Sequence, residues 1–229
     1  MLPAHASLLR CPHCGARKEV LQLMSGNTCG ATLWSDTKHI APMLPSVSYI
    51  QRCPECGKYF FYTQEVKAGT SHSYGFQTGE LPLEYLKEAL TQLQPTGSDE
   101  QTLRVYILWA FNDRYGDKEQ SAIPAAEWEY HMDNVQHLLQ MNLDTLFRAE
   151  LHREIGDFEQ AIQLFEALNV ADDIKTIHGA LLKQAQLHNR KVIVLYGNAQ
   201  RQVLTLDNYK ESTYTPPQID ENDGLNLPF

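Results

Sequence analysis

From Leu81 onward, apolar residues recur every three or four positions, the period of an α-helix with one buried face. "LPLEYLKEALTQLQ" puts Leu83, Leu86, Leu90 and Leu93 on one side, and Pro82 suits a first turn. "QTLRVYILWAFNDRY" aligns Leu103, Tyr106, Ile107, Ala110 and Phe111, while Val105, Leu108 and Trp109 widen the apolar surface. This segment is therefore expected to be the central helix, with Gly116 as its stop and Ser98 with Gln101 as a capping box. Pro124 opens a third helix reaching about Met141, with Trp128, Met132, Val135 and Leu139 inward. Asn142 is expected to cap a fourth, running to Ile155, which Gly156–Asp157 breaks. "FEQAIQLFEAL" forms a fifth, and a sixth begins at Asp172 or Asp173 with Ile174, Ile177, Leu181 and Ala185 inward. "RKVIVLY" (190–196) is β-branched and reads either as a short strand or as a helix continuation.

Ahead of Leu81 the helical period is missing. Short aromatic and aliphatic runs, "KEVLQLM" (18–24) and "KYFFYTQ" (58–64), each follow a cysteine turn and read as strands. Between them Gly26, Gly30, Pro42 and Pro45 break the chain, and residues 67–80 read as a glycine-containing linker. The pattern predicts an α+β protein: a small β unit over residues 1–70, then an all-α helical-hairpin domain over 81–210. Residues 211–229 hold four acids, three prolines and no Lys or Arg, and are expected to be disordered.

Composition changes this picture little. Of 229 residues, 43% are hydrophobic and 21% charged, an ordinary globular balance. No run approaches 18 consecutive apolar residues, and the N-terminus lacks a basic region followed by an apolar core. The expectation is a cytoplasmic protein with no membrane partner. Charge is more informative. The net charge is −9, but residues 1–70 carry +3 and the rest −12. Four thiolates around a divalent ion would lower the N-terminal figure further, so strong attraction to nucleic acid is disfavoured.

Five cysteines are too few for a disulfide scaffold, and four fall in two copies of one pattern: "CPHCG" at 11–15 and "CPECG" at 53–57. Two residues between cysteines let one tight turn aim both sulfurs at a point. Proline after the first pre-sets φ, and glycine after the second reverses the chain. Cys11, Cys14, Cys53 and Cys56 are therefore expected to hold one metal ion in a zinc ribbon, the 38 residues between Cys14 and Cys53 forming an ordered insertion. Zinc is the expected ion. A rubredoxin-like iron site is the alternative, because thiolate tetrahedra suit both. Cys29 is expected to be a small buried hydrophobe, with a reactive thiol or substitute ligand as the other readings. His13 and His39 are expected to be non-ligands.

The run "SGNTCGATLWSDTKHIAPMLP" and the two flanking turns add a resemblance. Residues 11–62 resemble an uncharacterised bacterial family with an N-terminal zinc ribbon and a helical C-terminal part. Cys29 departs from it where an aromatic residue is expected. The resemblance implies architecture and no activity. "AELHREIGDFEQAIQLFEAL" (149–168) looks like the middle of a tetratricopeptide repeat through Ala149, Gly156, Phe158, Ala161 and Phe165. His152 stands where an aromatic is usual, and no second copy follows at the repeat period. A generic helical hairpin accounts for the segment nearly as well.

Elsewhere catalytic motifs are missing: there is no H-E-x-x-H, G-x-S-x-G, P-loop or G-x-G-x-x-G. "EWEYHMDNVQH" is expected to be a solvated polar helix face. Trp34, Trp109 and Trp128 are expected in the core. The reading is a non-enzymatic protein-interaction or scaffold module. Nucleic-acid binding through Arg10, Arg17, Lys18, Arg52 and Lys58 is the alternative, and an enzyme with a pocket between ribbon and helices is a third reading.

Overall fold

Ahead of the helices the chain forms short antiparallel strands: β1 (Leu2–Pro3), β2 (Ser7–Arg10), β3 (Arg17–Val20), β4 (Leu23–Ser25), β5 (Thr32–Trp34), β6 (His39–Ile40), β7 (Ile50–Arg52), β8 (Tyr59–Phe61) and β9 (Lys67–Thr70). The computed structural model describes residues 2–73, 80–198 and 201–209. Each cysteine turn closes a hairpin: β2 pairs with β3 from Ser7↔Val20 to Arg10↔Arg17, and β7 pairs with β8 from Ile50↔Phe61 to Arg52↔Tyr59. β9 adds to the other edge of β2, so residues 67–70 of the expected linker are a sheet strand instead. They pair because β2 otherwise leaves a row of backbone donors and acceptors unmet. The expected disordered tail at 211–229 and residues 74–79 of the linker lie outside the described residues.

Six helices follow among the described residues: α1 (Leu83–Leu93), α2 (Gly97–Tyr115), α3 (Ala125–Leu139), α4 (Thr145–Ile155), α5 (Phe158–Ala167) and α6 (Lys175–Gln186). None is long and apolar enough to cross a membrane. The predicted helices are all present, with Gly116 ending α2 and Pro124 opening α3 as expected, but two N-terminal caps differ. The Ser98–Gln101 capping box does not form, because the helix already starts at Gly97 and Ser98 lies inside it. Asp144, rather than Asn142, caps α4 by accepting from Phe147 N–H. Gly156 ends α4 at φ 88°, and Asp157 caps α5 one residue later.

α3 corrects the polar-face expectation. Its buried positions are His131, Asn134, Val135 and Leu138, so the inward stripe is rotated from the predicted one. His131 is 2% exposed and stacks on Phe111 at 3.9 Å between ring centroids. Asn134 donates to the Arg104 carbonyl at 3.0 Å, tying α3 to α2. The three tryptophans are half-buried rather than core.

The ribbon and the helices share one core. Ile50 and Tyr59 pack in a cluster with Leu83, Leu86, Leu103, Ile107 and Phe111. Each such side chain, fully buried, contributes roughly 1.5–3 kcal/mol. The expected boundary near residues 70–81 thus falls between segments that bury each other. β10 (Val194–Tyr196) resolves the ambiguous "RKVIVLY": it is a strand, and it pairs with β5 of the insertion.

A polar weld reinforces this contact. The turn joining β5 to β6 carries Ser35 and Asp36, 3% and 0% exposed. Asp36 accepts from Asn112 Nδ2 at 3.0 Å and pairs with Arg201 at 2.7 Å, while Trp109 Nε1 donates to the Asp36 carbonyl at 2.9 Å. Ser35 Oγ accepts from Arg153 and from Ile193 N–H at 3.3 and 3.1 Å. Arg153, itself fully buried, forks onto Glu150. Asp113 then bridges Arg201 at 2.6 Å and Lys38 at 2.8 Å.

Candidate metal centre

The two cysteine turns repeat each other bond for bond. In the first, Cys11 N–H donates to the Ala16 carbonyl at 2.8 Å and Gly15 N–H to the Cys11 carbonyl at 2.9 Å. In the second, Cys53 N–H donates to Lys58 at 2.8 Å and Gly57 N–H to Cys53 at 2.9 Å. The glycines sit at φ 76° and 68°, the left-handed region that an L side chain rarely enters. This is the conformational requirement behind the G in each C-P-x-C-G.

These turns bring Cys11, Cys14, Cys53 and Cys56 together, with all four Sγ atoms within 4.8 Å of one another. Cys11 and Cys56 are 3.8 Å apart, and Cys14 and Cys53 are 3.6 Å apart. A tetrahedron of sulfurs at about 2.3 Å from a central ion has edges of about 3.8 Å, so the set fits one ion. Cys11 and Cys53 are buried, and Cys14 and Cys56 lie on the solvent side.

Backbone N–H groups face the sulfurs. His13 N–H lies 3.4 Å from Cys11 Sγ. The N–H of Lys58 pulls the Cys56 thiol down to about 7, whereas burial pushes Cys53 up to about 12 despite the N–H groups of Cys56 and Glu55. A divalent cation among them would supply the positive charge that holds all four as thiolates. The ribbon's own core packs beneath: Leu9, Val20, Phe60 and Val66 surround Cys11 and Cys53.

The other sulfur and imidazole candidates stay outside the cluster. His13 turns its ring away, with Nε2 3.1 Å from the Tyr59 carbonyl. His39 is exposed in β6. Cys29 is exposed rather than a buried hydrophobe. Its N–H donates to Asn27 Oδ1 at 2.9 Å in a polar turn, which leaves the thiol at the surface.

Sequence reasoning missed the second charged centre of the molecule, where the acids Asp36, Asp113, Glu150 and Glu154 meet the cations Lys38, Arg153 and Arg201. Glu154 is the acid in excess. Burial, followed by the nearby Glu150 and Asp36 charges, raises its pKa well above the ordinary carboxylate value. The only sequence signal was the W-S-D run, which carries no spacing rule for partners so distant.

No family model, no curated protein and no solved structure matches this chain.

Proposed function

We propose that this protein is a non-enzymatic interaction or scaffold module whose N-terminal ribbon is folded by a structural zinc ion. The convergence of four cysteine sulfurs from two hairpins carries the reading. Four protein thiolates fill a tetrahedron and leave no position for substrate or water, so the ion contributes folding free energy rather than catalysis. Zinc is preferred to iron because the long helical half gives an ordering role its purpose and an electron carrier none. All five cysteines are free, which suits a reducing, cytoplasmic setting. In the helical half, Ala149, Ala161 and Phe165 are all fully buried, which supports a single tetratricopeptide-like hairpin from α4 and α5.

The partner we infer is a basic polypeptide segment, drawn to the −12 charge that follows residue 70. Met24, Met43 and Leu44, which stand 72%, 38% and 43% exposed on the insertion, add apolar contact. Nucleic-acid binding has less support. Of its five cations, Lys18 is buried with Nζ 3.3 Å from the Arg52 carbonyl, and Arg52 stacks over Tyr85 at 4.3 Å.

Elemental analysis of purified protein tests the metal assignment: one zinc per chain is expected, and stoichiometric iron overturns it. Titration with a Lys/Arg-rich peptide and with duplex DNA at physiological salt tests the partner class. Saturable peptide binding is expected. Tighter DNA binding that weakens steeply with salt replaces this reading with the nucleic-acid one.

A further inference from the structure

A second site lies on the far side of the polar weld. Asn112 holds only one oxygen of Glu154, donating to Oε2 at 3.0 Å. The other, Oε1, is buried with no hydrogen-bond partner. His131 Nδ1 is likewise buried and unpartnered. Both residues line the same small chamber, about 20 Å³ in volume, between the C-terminal end of α2, α3 and residues 190–191. Two orphaned polar atoms on residues that line one chamber are costly unless something polar reaches them.

The mouth of the chamber is cationic. Arg190 spreads its guanidinium over Trp128 at 4.7 Å and has no hydrogen-bond acceptor among the described residues. Lys118 and Lys191 lie at the same opening, and Lys191 pairs with Glu119 at 2.8 Å. Arg190 is held in place by close backbone approaches. Val192 N–H donates to the Gly116 carbonyl at 2.8 Å, and a Cβ on Gly156 would meet Arg190 Cδ at 3.1 Å. Arg190, Trp128 and Ile123 also line an adjacent open cleft of about 650 Å³.

We propose that this cleft binds a small oxyanion, a carboxylate or phosphate group, with one oxygen in the chamber against Glu154 and His131 and its charge on the Arg190 guanidinium. The chamber admits one oxygen-sized group and the outer cleft takes the remainder of the molecule. Burial and the nearby Glu150 and Asp36 charges raise the pKa of Glu154, which favours the carboxylic-acid form, and that form donates through its O–H and does not repel the anion. His131 stays neutral, its pKa pushed down to about 3 by burial and by Arg190, and offers one N–H. Burial depresses the pKa of Arg190, and the Glu119 charge at the rim of the cleft offsets only part of that shift. The site is independent of the sulfur cluster and of the polypeptide partner proposed above.

The test uses the full-length, metal-loaded protein and follows the Trp128 indole and Gly116 amide NMR signals during titration. Inorganic phosphate is one arm and acetate the other, with sodium chloride as an ionic-strength control. Saturable shifts below about 10 mM in either arm are expected, and the stronger arm identifies the group. Arg190→Gln keeps the side-chain length and removes the charge, so it should weaken binding by about tenfold or more. Lys118→Ala should weaken it by a smaller factor. Two results overturn the proposal. One is no saturable shift in either arm with the spectrum otherwise native, which leaves the chamber to a single water. The other is an unchanged midpoint in a folded Arg190→Gln protein.

Discussion

The sulfur cluster and the Ser35–Asp36 tip both lie within the first 60 residues, yet they fasten the fold by opposite means. In the cluster, each half is built by a five-residue turn that forms its own hydrogen bonds, and the only distant event is the meeting of two such halves. At the tip the turn's own bonds, such as Lys38 N–H to Asp36 Oδ1 at 3.1 Å, are local, and every tie to the helices and to β10 is distant. Its partners Trp109, Asn112, Arg153 and Ile193 lie 73, 76, 118 and 158 positions away. The cluster ties the ribbon to itself; the tip ties the ribbon to the helices. A metal ion is expected to order the first without the second, because the cluster's own core of Leu9, Val20, Phe60 and Val66 contains no residue of α1–α6.

Mutation can separate the two fasteners. The largest effect is expected from Cys53→Ser, which removes a buried ligand. Structural zinc in small domains is worth ~10–16 kcal/mol at neutral pH, far more than the ribbon core can replace. The variant should lose its stoichiometric ion by elemental analysis. It should also lose slow amide exchange in β2, β3, β7 and β8, while α4–α6 keep theirs.

Arg153→Met comes next. It strands Glu150 in the interior and leaves Ser35 Oγ with Ile193 N–H alone, and breaking one partner of a buried pair costs about 3–5 kcal/mol. Urea unfolding should show that loss with the metal content still at one per chain. Loss of the ion together with the stability would mean that the two fasteners form a single unit.

Glu154→Gln sharpens the comparison through pH. Because the folded-state pKa of Glu154 is raised, the folded protein keeps a proton that the unfolded chain has released above about pH 4.3. Its stabilising contribution is therefore full below that pH and is lost as pH rises toward the raised value. The groups around it are Asp36, Glu150, Arg153, Asn112 and, across the chamber, His131. The variant should lose less stability than the wild type between pH 5 and pH 8 in parallel urea titrations. An identical slope would place the titration elsewhere.

The smallest effect belongs to Cys29→Ser. The thiol is exposed and outside the cluster, so stability should change by less than about 0.5 kcal/mol, with metal content unaffected.

These contrasts show how far the chain could be read in advance. The helices were legible because an amphipathic period is a local property, and the break at Gly156–Asp157 became a left-handed C-cap followed by an N-cap. α3 was read one notch out of register. Trp128, His131, Val135 and Leu138 also recur at helical spacing, but a histidine was assigned to solvent by its polarity. Its ring is instead stacked against Phe111 beside Trp128, an arrangement that depends on α2 and α3 crossing at that point. "RKVIVLY" stayed ambiguous for a similar reason: β10 exists through pairing with β5, some 160 residues earlier.

The sequence by itself determined the two cysteine turns, because proline, glycine and the C-x-x-C spacing dictate their backbone from within five residues, and it determined the number and order of the helices through their hydrophobic period. Only the tertiary structure decided that the two turns meet sulfur to sulfur, that a W-S-D turn becomes the polar centre of the molecule, and that the pKa of Glu154 is raised. Those outcomes depend on charges and hydrogen bonds between residues far apart in the chain. Their desolvation cost is met only when every partner arrives together, and that condition leaves no periodic trace along the sequence.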